Sequence, residues 1–200
     1  MIVDKLIPFE YGETYHVFNK SVGGVLLFKT SDDYFYFLKK TERYILPIAD
    51  IYAYCLIPNH FHFLLKIKEF DKQINNQKKE HDTQWLTKTF SNFFASYSRS
   101  CNNIYKRQGR LFLQAFKRIK VEDMGYFTEL VAYIHRNPIH HGIVSDFSKW
   151  KYSSYNSYLS KKESNIDRQE VMSYFDSLED FVEFHNNTKK EYEYRKYYLE

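Results

Sequence analysis

Two adjoining runs between Ile51 and Lys68 leave this chain little freedom. Ile51 to Ile57 is a nearly continuous apolar stretch of strand length, which reads as an inner strand. Pro58-Asn59 closes it with turn chemistry. From His60 to Lys68 the residues alternate, with Phe61, Phe63, Leu65 and Ile67 on one face and His60, His62, Leu64, Lys66 and Lys68 on the other. One face must enter a core, and two histidines are then neighbours on the opposite face.

The other elements follow in an order that limits the topology. Tyr15 to Asn19 reads as a first strand, and Val25 to Phe28 as a short apolar run after the turn signal Gly23-Gly24. Ser31-Asp32-Asp33 can open a helix through Tyr34, Phe37 and Leu38 to Tyr44, ended before Pro47. Residues 69–83 are polar, lack an apolar period and read as a loop. A long helix fits Trp85, Leu86, Phe90, Phe93, Phe94 and Tyr97, reaching about Tyr105 before Gly109 breaks the pattern. Leu111 to Lys120 reads as a strand, and Asp123 opens a helix that Pro138 interrupts. Trp150 to Tyr158 is an aromatic segment, and a last helix is expected from Arg168 to His185.

Strand, helix, strand, strand, helix, strand predicts an α+β chain with a ferredoxin-like split βαβ sandwich. The helix bearing Tyr133 is expected to cover the free face of the sheet. Residues 1–160 would form this domain, and residues 161–200 a helical C-terminal extension.

A chain with 44% hydrophobic and 20% aromatic residues can bury enough apolar surface to order itself. Cys55 and Cys101 are far apart and lack metal-knuckle spacing, which suits a reducing compartment. The opening Met-Ile-Val-Asp-Lys has no basic segment before an apolar run, and no stretch approaches a membrane span, so a soluble, cytoplasmic protein without a membrane partner is expected. Residues 161–200 hold 7 Lys/Arg against 10 Asp/Glu, leaving 22 against 15 in residues 1–160. A basic, aromatic-rich body suits a nucleic-acid binder, although an ordinary solvated basic surface has the same signature.

Two imidazoles separated by one strand residue point the same way and can share a cation. Alone, His60 and His62 also match two half-exposed histidines without a ligand. On the later helix Phe127, Val131 and Ile134 define a buried stripe, while Tyr126, Tyr133 and Asn137 fall on another flank. Tyr133 and Asn137, four residues apart, can bring a phenol nucleophile and an amide oxygen to a two-histidine site. Asn137 has a plain alternative as the residue that ends a helix before proline.

The run Ala53-Tyr54-Cys55-Leu56-Ile57-Pro58-Asn59-His60-Phe61-His62-Phe63-Leu64-Leu65 resembles the HUH signature of the single-tyrosine transposases, the group that includes REP-associated tyrosine transposases. Tyr133-Ile134-His135-Arg136-Asn137-Pro138-Ile139-His140-His141-Gly142-Ile143-Val144 is similar to that family's tyrosine-bearing segment. Gly109-Arg110-Leu111-Phe112 with Phe116-Lys117-Arg118 resembles its basic strand, and Trp150-Lys151-Tyr152-Ser153-Ser154-Tyr155 its closing aromatic segment. The match spans roughly residues 9–160.

The resemblance implies metal-dependent cleavage and rejoining of single-stranded or hairpin DNA through a 5′-phosphotyrosine. His60 and His62 match the metal ligands, Tyr133 the nucleophile, and Asn137 the position that helps hold the metal. Mg²⁺ or Mn²⁺ is implied, and Mn²⁺ agrees better with imidazole ligands. Arg99, Lys106, Arg107, Arg110, Lys117, Arg118 and Lys120 are the candidates for phosphate contacts. A homodimer is compatible with the sequence. The rival readings are a non-catalytic RNA-recognition-like module, which would want a glycine-punctuated aromatic strand, and a structural zinc domain using His60, His62 and Cys55.

Overall fold

The structure is a computed structural model that describes residues 7–71 and 83–187; most of the loop expected over 69–83 lies outside the described residues. Four strands, β1 (Thr14–Lys20), β2 (Ala49–Ile57), β3 (His60–Ile67) and β4 (Lys117–Lys120), form one antiparallel sheet in the order β2-β3-β1-β4. With α1 (Ser31–Tyr44) between β1 and β2, and α2 (Gln84–Ile104) between β3 and β4, this is the ferredoxin-like arrangement.

Helix α1 starts where a capping box allows it: the Thr30 side chain meets the backbone at Asp33, whose carboxylate accepts from the backbone N–H groups of Lys29 and Thr30 at 2.8 and 2.9 Å. Its Phe37 ring lies 5.2 Å from Phe61 and 4.9 Å from Phe93 of α2, and Phe94 lies 5.3 Å from Phe61. The alternating phenylalanines of β3 thus meet both helices, each buried ring contributing roughly 1.5–3 kcal/mol.

The strand expected from Leu111 shrinks to Lys117–Lys120. Leu111, Phe112 and Phe116 are buried without strand alternation; Phe112 and Phe116 stand 5.5 Å from Phe94 and Phe90, so packing on α2 displaces the sheet ladder.

Helix α3 (Met124–His140) lies on the other sheet face, against β2 and β3. Asp123 caps it by accepting from the Tyr126 N–H at 2.8 Å. The expected interruption at Pro138 is absent. The helix runs through Pro138 and ends past His140, where Gly142 at φ +63° turns the chain and Ile143 N–H reaches the Pro138 carbonyl at 2.9 Å. Only one ladder bond is lost to the missing proline donor, and burial of the last turn outweighs it.

Beyond it come α4 (Tyr155–Tyr158), α5 (Arg168–Met172) and α6 (Leu178–Asn187). The single helix expected from Arg168 to His185 is therefore two, separated where the Ser177 hydroxyl accepts from the Asp180 N–H at 3.1 Å. Residue 167 also bonds to β2, Asp167 N–H to the Ile51 carbonyl at 2.9 Å. A relay of buried polar groups ties α6 to α3. His185 Nδ1 donates to the Phe181 carbonyl (2.7 Å), and His185 Nε2 lies 2.9 Å from His135 Nδ1. His135 Nε2 in turn lies 2.8 Å from the Ser154 hydroxyl.

Candidate metal and tyrosine site

The sheet register sorts side chains by face. His60 and His62 of β3 share a face with their β1 partners Lys20 and Phe18, and with His16 two residues earlier. On β4, Lys117 pairs with Phe18 and Ile119 with His16. This is the face that α3 covers, which leaves His60 5%, His62 3% and His16 0% exposed.

Helix α3 brings Tyr133 and Asn137 onto the histidines. Asn137 Oδ1 lies 3.0 Å from His60 Nε2, and the Tyr133 ring stands edge-on to His62 with centroids 5.8 Å apart. The imidazole rings of His60 and His62 are 5.2 Å apart. Tyr133 is only 3% exposed, and its ring stacks on His140 at 5.5 Å. The expected one-sided apolar stripe of this helix is in fact a buried sleeve: Leu130 through His135 are all buried, because the sheet takes one side and α6 with residue Phe147 takes the other.

His60 Nδ1 lies 2.9 Å from the Asn59 amide oxygen. An amide oxygen only accepts, and a neutral imidazole has one N–H. The Asn137 oxygen is an acceptor too, so one neutral ring cannot donate to both; in the tautomer that keeps the proton on Nδ1 toward Asn59, the one a bound cation would require, the lone pairs of His60 Nε2 and Asn137 Oδ1 face the same space. Two ligands at right angles, each about 2.1 Å from one ion, stand about 3 Å apart, which is the separation seen here. His62 Nε2 and Asn137 Nδ2 are buried without a hydrogen-bond partner among the described residues. Burial holds His62 well below the usual imidazole range, reinforced by His16, His60, His141 and His140, so its ring is neutral and able to donate a lone pair. Two imidazoles and an amide oxygen therefore fit a divalent cation of the Mn²⁺ or Mg²⁺ kind. Among the described residues no three His, Cys, Asp or Glu side chains gather to hold a metal ion, so any third protein ligand beside the two histidines would have to be of another kind, such as the Asn137 amide oxygen. The same finding counts against a zinc site with Cys55, whose thiol burial pushes far up.

The expected phosphate contacts divide. Arg99, Lys106 and Arg110 are exposed, and Arg107 donates to the Asn102 side chain at 3.2 Å. The loop after α2 returns to the sheet beside the site, with Leu113 N–H donating to the Lys20 carbonyl at 2.9 Å opposite His60. Lys117 shares the histidine face. Arg118 and Lys120 point to the opposite face, which corrects their assignment. The Arg118 guanidinium is buried over the Phe9 ring at 4.2 Å, donates to the Ile7 carbonyl, and burial pushes its pKa down to about 10. Lys120 Nζ is held by Glu10 at 2.6 Å and Glu13 at 3.4 Å.

Five site residues escaped the sequence reading: His16, Lys20, Asn59, His140 and His141. His141 lies 4.4 Å from His60, ring to ring. Alternation within Tyr15-His16-Val17-Phe18 could have placed His16 with the other histidines; nothing local flagged the two that follow Pro138.

No protein-family model matches the sequence, and no curated protein matches it. Among solved structures, that of a REP-associated tyrosine transposase bound to a REP hairpin superposes with a TM-score of 0.60 at 16% sequence identity, covering 80% of this chain and 87% of that chain. Identity this low speaks for architecture alone, and at that level the resemblance read from the sequence holds: the chain has the fold of that tyrosine transposase.

Proposed function

We propose that the chain is a metal-dependent, single-tyrosine nuclease and strand transferase acting on single-stranded or hairpin DNA. The observation that carries this reading is the placement of Tyr133 beside His62 and of Asn137 Oδ1 3.0 Å from His60 Nε2, on a fold shared with a protein solved in complex with a DNA hairpin.

Tyr133 Oη attacks phosphorus, the P–O3′ bond breaks, and the products are a 5′-phosphotyrosine and a free 3′ hydroxyl; the phenol proton leaves and one returns to the 3′ oxygen. Attack by another 3′ hydroxyl reverses the step and joins strands without a nucleotide cofactor. His60, His62 and Asn137 would hold Mn²⁺ or Mg²⁺. When bound, the cation supplies charge neutralisation at a non-bridging phosphate oxygen. Lys20 and Lys117 on the histidine face, and the exposed Arg110, would serve as phosphate contacts.

An RNA-recognition reading needs bases to stack on an open sheet. Here α3 buries the face that would serve, which favours the nuclease. The test is a covalent-adduct assay on single-stranded and hairpin oligonucleotides with Mn²⁺. Tyr133→Phe is expected to lose cleavage and adduct together, and Tyr126→Phe, two turns earlier, to keep both. Adduct surviving in Tyr133→Phe would overturn the assignment.

A further inference from the structure

The two candidate ligands are each held from behind, and only one of the holders lies next to its histidine in sequence. Asn59 faces His60 Nδ1; for His62 the same place is taken by His16 of β1, whose Nε2 lies 2.9 Å from His62 Nδ1 with the rings stacked at 5.1 Å. A proton must sit between these two nitrogens, and its side decides what His62 presents to the site. If His16 donated, neutral His62 would carry its remaining proton on Nε2, the atom directed at the site, and no lone pair would be left for a cation. If His62 Nδ1 donates, Nε2 keeps its lone pair, and that buried atom, without a protein partner, is ready for a ligand. His16 is wholly buried, where a charged ring is disfavoured, and a neutral ring can accept at Nε2.

We propose that His16 is a positioning residue that accepts the His62 Nδ1 proton and thereby fixes His62 in the tautomer whose Nε2 lone pair enters the metal site. The proposal rests on the metal-site reading above and extends it to β1, a strand that supplies no ligand. Outer partners of metal-bound histidines are commonly worth about 10–100-fold in metal affinity.

The test uses the full chain. In the metal-free wild type, ¹⁵N-resolved imidazole NMR is expected to show His62 protonated at Nδ1. In His16→Phe, which keeps a flat ring against Phe18, the His62 proton should move or exchange between nitrogens. Mn²⁺ affinity by calorimetry should fall about 10–100-fold, with adduct formation recovered at saturating Mn²⁺. His16→Gln, whose amide oxygen can accept, should restore most of the affinity. His62 protonated at Nε2 in the wild type, or Mn²⁺ affinity unchanged in a folded His16→Phe, would overturn the proposal. Should the wild type fail to bind Mn²⁺, the metal reading falls by itself, while the tautomer still decides the role of His16.

Discussion

The molecule contains two buried imidazole pairs with nearly the same internal geometry. His16 and His62 stack at 5.1 Å and 18° with nitrogens 2.9 Å apart; His135 and His185 stack at 5.1 Å and 26°, also with nitrogens 2.9 Å apart. Their surroundings differ. In the second pair the Phe181 carbonyl forces the proton onto His185 Nδ1, which makes His185 Nε2 an acceptor and His135 Nδ1 a donor. Ser154, whose hydroxyl also lies 3.3 Å from the Tyr54 carbonyl, then donates to the nearer His135 Nε2 and takes the Tyr54 N–H at 2.9 Å. Every ring nitrogen of this pair has a partner. The first pair is not closed in this way: His62 Nε2, on a ring edge-on to Tyr133, has no hydrogen-bond partner among the described residues. A closed series is a fastening, whereas a series ending in an unsatisfied buried atom marks where something else is to bind.

The contrast predicts opposite outcomes for matched substitutions. The largest effect is expected in His62→Leu, which should abolish Mn²⁺ binding and adduct formation together while metal-free stability, read by urea unfolding, falls by no more than about 1–2 kcal/mol, since one unsatisfied atom is exchanged for another. In His185→Leu the order reverses. Mn²⁺ affinity should stay near wild type in the folded protein, and stability should drop by about 2–4 kcal/mol as His135 Nδ1 loses its acceptor and the packed ring is replaced. Equal stability losses in the two variants would erase the distinction.

Acid should act on the closed pair in a defined window. Burial, the leading cause, pushes the His185 pKa down to about 4. The unfolded chain therefore binds a proton near pH 6.5 that the folded chain refuses until about pH 4. Stability from this group is complete above pH 6.5 and is lost as pH falls toward 4. Urea midpoints measured across that range should decline, and His185→Gln should flatten part of the decline. A midpoint that does not fall between those values would contradict the neutral relay.

The smallest effect separates the two faces of β4. Lys117→Ala, on the histidine side, should weaken DNA binding and reduce the salt slope by about 1, whereas Lys120→Ala, already held by Glu10 and Glu13, should leave both unchanged. Binding titrations at several salt concentrations would expose a reversal.

Much of the architecture could be read directly because it is periodic. The alternation through Phe61 and Phe63 fixed which face of β3 meets α1 and α2, and the four-residue step from Tyr133 to Asn137 placed both on one side of α3. What failed was non-local. The partnership of His16 with His62 depends on the β1–β3 register, which no short window contains. Pro138 was read as a stop by local chemistry, yet tertiary packing carries the helix through it and delivers His140 and His141 to the site. The faces of Lys117 and Arg118 differ by one position in a four-residue strand, so charge alone could not tell a candidate phosphate contact from a core cation.

Helix α3 has no idle side along its second half: Leu130, Val131, Ala132, Tyr133, Ile134, His135 and Asn137 are all buried. An ordinary surface helix drifts in sequence at every third or fourth residue, where solvent tolerates nearly any side chain. On the proposed reading one turn serves chemistry toward the sheet and fastening toward α6, so change on either side is felt on the other. In a saturation-mutagenesis map scored for adduct formation, this stretch should stand out as an unbroken block of intolerance with relief at the half-buried Arg136, in place of the periodic stripes expected elsewhere.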